Sequence, residues 1–192
     1  MKQHYKKIIL DFIPAFLGVL IALVLSNWKE QRKENEFVKK SIVSIYNDNK
    51  SNMENINVQI KHLENQTDTI GYYLNNSNLS ILDLIKKNNG LKTKSLIQSG
   101  WKILENSQLV TRIDYELLSS FTYLSENIEH LNMYKNTISD MVYNSIDSKS
   151  KSDKYRLLAL IKDMKNSSES FKRSSEYVDS VLNIKYKKIL IQ

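Results

Sequence analysis

Residues 14–28, PAFLGVLIALVLSNW, carry no charge and then pass without a break into KEQRKENE, residues 29–36. How that run is read decides the fold, because a span in lipid, a cleaved signal and a core helix each leave a different protein behind it. Upstream, Phe12 to Leu25 have no polar side chain. With Ile8, Ile9 and Leu10 before them and Ser26, Asn27 and Trp28 after, a helix would reach about 31 Å, matching a hydrocarbon core of roughly 30 Å. Asp11 falls near one end, where its carboxylate reaches headgroup water or Lys7; at the bilayer centre it would cost several kcal/mol. Trp28 stands where an interfacial aromatic is expected, so Asp11 and Trp28 are the predicted membrane-interface residues. Pro14 lies in the first turns, where a missing amide hydrogen does least damage.

A signal peptide shares the Lys-rich start and the apolar core. Only Val24 and Ser26, however, offer a poor small-x-small cleavage pair, and a charged helical sequence follows at once. A buried core helix shares the hydrophobicity but would show a polar face, and none exists between Phe12 and Leu25. Residues 1–28 are therefore predicted to be an uncleaved single-pass anchor whose partner is the lipid bilayer. Lys2, Lys6 and Lys7 precede the span; Lys29, Arg32, Lys33, Lys39 and Lys40 follow it. That asymmetry leans toward a cytoplasmic body. Gly18, Ala22 and Ser26 recur at four-residue spacing and form a smooth face on which a second span could pack, making a homo-oligomer.

Composition agrees with helices throughout. The 192 residues include one Pro and four Gly, so nothing after Pro14 forbids long helices. No cysteine is present, which removes disulfides and thiol chemistry. The formal charge of +7 is scattered among frequent acids. Aromatics do not alternate with Arg, and neither zinc spacing nor a recognition helix appears, so nucleic acid is not an expected partner. The basic flanks of the span instead suit anionic lipid.

Residues 29–192 read as a helical bundle. From about 29 to 75 the apolar positions Val38, Ile42, Ile45, Met53, Ile56, Ile60, Leu63, Ile70 and Leu74 recur at steps of mainly three and four, with Asn49 and Thr67 as polar members. The steps 45, 49, 53 imply a stutter in the heptad. A short helical and turn region follows over about 79–112, in which Gly100 beside Trp101 implies a close contact. Asp114 is placed to cap a helix over about 114–146 carrying Leu117, Phe121, Leu124, Ile128, Leu131, Ile138 and Met141 or Val142 on one side. A last helix over about 152–189 repeats the stripe with Leu157, Ile161, Met164, Ser168, Phe171, Ser175, Val178 and Leu182. Ser168, Ser175 and Asn49 would either loosen the core or fix its register. The predicted fold is all-α: an N-terminal transmembrane helix continuing into a long amphipathic helix, packed as a three- to four-helix antiparallel bundle or coiled coil.

Reactive clusters are missing from the pattern. His4, His62 and His130 have no second His or Cys at ligand spacing, so no metal or cofactor is expected. No nucleophile elbow, phosphate loop or HExxH helix occurs, and no catalytic residue is nominated. Tyr72, Tyr73, Tyr115, Tyr123, Tyr134 and Tyr143 are the rings available to line a groove near the bundle's far end, although rings at helical spacing serve more often as core and surface. If a partner surface exists, the segment from Gly90 to Tyr115, with Trp101 and Tyr115, is the place to look, since long-helix geometry does not explain it.

The opening FLGVLIALVLSNWKEQRKENE, residues 16–36, resembles that of a family of uncharacterised single-pass membrane proteins of Bacteroidota, in which a hydrophobic segment meets an Asn-Trp pair and a charged helix. SGWKILENSQLVTRIDYELLSSFTYL, residues 99–124, is similar to a later, more degenerate family segment, with Asn106 and Ser107 where a glycine turn is usual. The resemblance implies an inner-membrane location and brings no catalytic residues. Two functions follow as expectations. One is a membrane-anchored, non-enzymatic scaffold or interaction protein. The other is a membrane-acting effector or sensor, as in stress or phage defence, that oligomerises through its span.

Overall fold

The computed structural model describes residues 2–190, with side chains described over 12–14 and 16–190. Among the described residues the chain is all-α, with six α-helices, one 3-10 turn and no strand. Helix α1, Lys2–Tyr72, is one element of 71 residues. Then come α2 (Ile81–Lys87), α3 (Ser99–Glu105), a 3-10 turn (Gln108–Arg112), α4 (Tyr115–Asn144), α5 (Lys151–Lys185) and α6 (Lys187–Leu190).

Four segments make the bundle, and cross-links fix their directions. Helix α5 runs antiparallel to α1: Asn49 meets Ser175, Gln59 meets Ser168, and Lys165 lies 3.1 Å from Glu64. Helix α4 runs antiparallel to α5, with Asn127 against Ser174 and Asp114 paired with Lys185. The fourth segment is α2, an extended strap over 91–98, and α3. It descends along α1, bonding in turn to Thr69, Gln66, Asn52 and Asp48. An up-down-up-down bundle results, in which one of the four legs is only partly helical.

Local chemistry explains the ends. Ser80 and Asp83 form a reciprocal capping box at α2. Asn89, at φ 58°, and Gly90, at φ 94°, then turn the chain back through left-handed backbone. Asp114 caps α4 by accepting from the amides of Glu116 and Leu117, and Ser150 caps α5. Far from the apolar run, the amides of Ile81 and Leu82 donate to the carbonyls of Ser148 and Ile146, tying α2 to the α4–α5 turn.

The core runs the length of the three long helices. On α4 the buried side chains are Leu117, Phe121, Leu124, Ile128, Leu131, Ile138 and Met141, the predicted stripe. On α5 the predicted stripe is buried as well, joined by Lys154, Leu158 and Val181. Helix α1 departs from expectation. Its buried residues beyond Ser41 are Ile42, Ile45, Asn49, Asn52, Ile56, Gln59, Leu63, Gln66 and Ile70, an unbroken three-four alternation without a stutter. Met53, Ile60 and Thr67 are only half-buried. Three amides, Asn52, Gln59 and Gln66, stand seven residues apart where apolar side chains would be expected, because that edge of α1 faces the backbone of the strap.

Candidate functional site

Two features of this fold bear on function: the bare section of α1, and the end of the bundle from which it emerges. Every described side chain from Phe12 to Trp28 is exposed. This is the one stretch among the described residues that is long and apolar enough to cross a membrane. Trp28 is 60% exposed, and the Arg32 guanidinium sits 6.0 Å from its ring centroid. Gly18, Ala22 and Ser26 are likewise exposed, and an added Cβ at Gly18 would meet nothing within 4 Å. Asp11 lies outside the residues whose side chains are described.

Burial along α1 begins at Glu34, Phe37 and Val38, where the bundle closes around it. This end carries two groups of ion pairs. Arg112 binds Glu34 and also donates to Asn35. The Lys185 ammonium reaches both Asp114, at 2.7 Å, and Glu116, at 2.6 Å, joining the start of α4 to the end of α5. The hydroxyl of Tyr177 donates to Glu116 at 2.7 Å. The hydrogen bond from Lys185 is the main cause that lowers the pKa of Asp114, and also that of Glu116, with Tyr177 adding to the latter. The hydrogen bond to Asp114, followed by that to Glu116, raises Lys185.

Just beyond lies a shallow groove of about 680 Å³ between α4 and α5. Ser119, Ser120, Ser170 and Ser174 line it together with Tyr115, Tyr123 and Tyr177. Short side chains on facing helices leave the depression, and the rings stand where longer neighbours bracket it. Tyr115 is 83% exposed, consistent with a residue on an accessible surface. The six tyrosines considered from the sequence do not gather into one groove at the far end of the bundle; of these, only Tyr115 and Tyr123 line this depression. It sits near the apolar exit and gathers Tyr177, while Tyr72, Tyr73, Tyr134 and Tyr143 lie outside it.

Trp101 requires a correction. The structure leaves it 5% exposed, packed on Phe121 at 5.5 Å between ring centroids, so it is a core residue and no partner surface. Its indole N–H has no acceptor among the described residues. Gly100 explains the packing: a Cβ there would sit 2.7 Å from the Ile45 nitrogen and 2.9 Å from the Ser44 carbonyl carbon. The absence of a side chain lets α3 approach α1 until the Gly100 amide donates to Asp48 at 2.9 Å. The segment from Gly90 to Tyr115 is unusual because it replaces a helix of the bundle, and its backbone needs side-chain partners.

Those partners are the buried amides. Asn52 donates to the Ile97 carbonyl at 2.6 Å and accepts from the Ile97 amide at 2.7 Å, a two-way pairing like one rung of a sheet. Gln59 accepts from the Lys94 amide, and Gln66 donates to the Gly90 carbonyl. Asn49 and Ser175 exchange two further bonds across α1 and α5. The ammonium of Lys154, fully buried, donates to the Asn76 carbonyl just past the end of α1. The seven-residue repeat of Asn52, Gln59 and Gln66 is the sequence signal that could have pointed to the strap, and hydrophobic spacing alone passes over it.

Among the described residues no group of three or more His, Cys, Asp or Glu is arranged to hold a metal ion. The chain matches no family model, no curated protein and no solved structure. The resemblance to the Bacteroidota family therefore rests on the residues quoted for it.

Proposed function

We propose that the protein is a membrane-tethered, non-enzymatic helical scaffold: residues 8–28 cross a bilayer, and the bundle stands on that span and presents its surface to partners. One observation carries the reading. From Phe12 to Trp28 a continuous helix leaves the bundle with every described side chain exposed, and the fold offers those side chains no cover. Burying such a run in lipid recovers about 25 cal/mol for each Å² of apolar surface. The three-to-five Lys/Arg balance around the span favours a cytoplasmic body in a bacterial inner membrane. Carbonate extraction of cell membranes tests the anchor. The full chain should stay in the pellet, and the double variant Leu20→Arg, Leu23→Arg should move to the supernatant. Each arginine near the bilayer centre costs about 3 kcal/mol by insertion scales. Full release of the unaltered chain would refute the span.

A second reading, a membrane effector or sensor that oligomerises within the bilayer, draws on the same bare helix. The face of Gly18, Ala22 and Ser26 is unobstructed by the bundle. Crosslinking in native membranes separates the two readings, since Gly18→Ile with Ala22→Ile should abolish oligomers only if this face joins the spans.

A further inference from the structure

The end of the bundle that surrounds the exit of α1 also carries the net positive charge of residues 29–192. Residues 29–40 hold five Lys or Arg and three acids, and residues 184–192, IKYKKILIQ, hold three Lys and no acid. The pairing pattern sharpens that excess. Glu34 is taken by Arg112, Glu36 by Arg32, and both Asp114 and Glu116 by Lys185. Lys29, Lys33, Lys39, Lys40, Lys187 and Lys188 form no ion pair among the described residues. In the remainder of the body acids and bases nearly cancel: residues 117–183 carry equal numbers of each.

Topology brings the two basic stretches together. Antiparallel pairing of α5 with α1, with Ser175 at the level of Asn49, carries the end of α5 back toward the start of the bundle. Helix α6 then packs against α1, with Tyr186 and Leu190 partly buried on the core. Ile184, by contrast, is 78% exposed beside these lysines. From Trp28 to Val38 the axis of α1 rises only about 15 Å. Spans tilt by up to about 40° and lysine side chains are long, so a strong lean toward α5 and α6 brings Lys187, Lys188 and Ile184 to the headgroup layer.

We propose that this end of the bundle is a second membrane contact: Lys187 and Lys188 engage the headgroups of anionic lipids, and Ile184 enters the interface beside them, so that the bundle leans on the leaflet instead of swinging freely on its anchor. The occupant is inferred from charge complementarity, the interleaved apolar residue and position at the exit of the span. An anionic surface attracts each nearby lysine by roughly 1 kcal/mol, about fivefold per residue, and that attraction fades beyond a Debye length of about 8 Å. The inference rests on the membrane-spanning reading of α1.

The test uses the full chain in vesicles. Because it lacks cysteine, single-cysteine labelling is direct. A fluorophore is placed in turn at Leu20→Cys, Ile184→Cys and Tyr143→Cys, the last being exposed near the far end of the bundle. Quenching by lipids carrying a spin label is read in phosphatidylcholine alone and with about one third phosphatidylglycerol. The inference expects quenching at position 20 in both compositions, at 184 only with the anionic lipid, and at 143 in neither. Lys187→Glu with Lys188→Glu should lower the equilibrium for lipid contact at 184 by at least about 25-fold, and high salt should act in the same direction. Quenching at 20 without quenching at 184 overturns this contact and leaves the anchor intact. Absence at both positions overturns the anchor and the contact together. Quenching at 184 that ignores lipid charge and the lysine reversal overturns the headgroup interaction.

Discussion

Helix α1 contains two sections that share a backbone and almost nothing else. Over residues 12–28 it is apolar on every side, and all its described side chains are exposed. Over residues 42–70 it buries one edge, mixes polar and apolar side chains along that edge, and exposes charge on the other. Both sections belong to one continuous α-helix, so secondary structure does not distinguish them. Packing does. The distal section is held by neighbours that cover Ile42, Ile56, Leu63 and Ile70, whereas the proximal one contributes no described side chain to the core. One helix is thus two energetic units, and substitutions should report on one without disturbing the other.

The largest contrast compares one residue type in both sections. Leu63 is fully buried in the core, and Leu63→Ala should destabilise the bundle by about 2–5 kcal/mol through lost transfer energy and a residual cavity. Leu20 is exposed, and Leu20→Ala should leave the unfolding of the bundle unchanged. Denaturant titration of the full chain in detergent, followed by circular dichroism, measures both. A comparable loss from Leu20→Ala would mean that the two sections unfold as one unit.

Much of this division was legible in the sequence, because period and polarity differ so plainly on either side of Trp28. The stripes of α4 and α5 could be read directly, with Leu, Ile and Phe at steps of three and four. Helix α1 was harder: apolar steps alone led to Met53, Ile60 and Thr67, while the buried positions one residue earlier are Asn52, Gln59 and Gln66. Polar residues at core positions are invisible to a hydrophobic count unless their partner is known, and here the partner is the backbone of a segment with no periodicity of its own. The same lack of periodicity marks residues 90–115 as the place to look for a partner surface, Trp101 included, although Gly100 beside it already implies a close contact. Lys154 follows the same logic. A lysine reads as solvent-facing until the carbonyl of Asn76 is found at its tip. Tyr177 escaped notice because its neighbours across the groove lie on another helix.

Gly100 offers a sharper probe, confined to the distal section. Ala at this position would press on the Ser44 and Ile45 backbone, which cannot move aside as a flexible side chain would. Overpacking of this kind costs about 1–3 kcal/mol, and the upper end is expected here. Amide exchange should show the loss first in α3, at the Gly100 amide released from Asp48. Protection equal to that of the parent chain would show that α3 can shift without cost.

A smaller change is expected from Asn52→Ala, which removes both bonds to Ile97. At about 1 kcal/mol net for each hydrogen bond, the total is about 2 kcal/mol, and less if water reaches the strap. Exchange should quicken at Ile97 and Lys94 while α4 and α5 keep their protection. Uniform loss across all helices would mean that the strap is inseparable from the bundle, and that the distal section cannot be divided further.

The smallest effect concerns the seam where the two sections meet. Asp114 and Glu116 have folded pKa values lowered from the ordinary 3.8 and 4.5, mainly by the hydrogen bond from Lys185. Their contribution is therefore complete above those ordinary values and disappears as pH falls through the lower folded ones. Lys185 is raised from 10.5, so its share is complete below that value and is lost as pH rises through the folded one. The cluster should thus support the α4–α5 end on a plateau between these limits, with a modest amplitude because every member is solvent-exposed and screened by salt. Comparing thermal midpoints of the parent chain and Lys185→Gln isolates it: the difference should be constant near neutrality, shrink below about pH 4, and narrow in high salt. A difference that persists unchanged in acid would assign Lys185 a packing role through its aliphatic stem, and the seam would then belong to the buried section of the molecule.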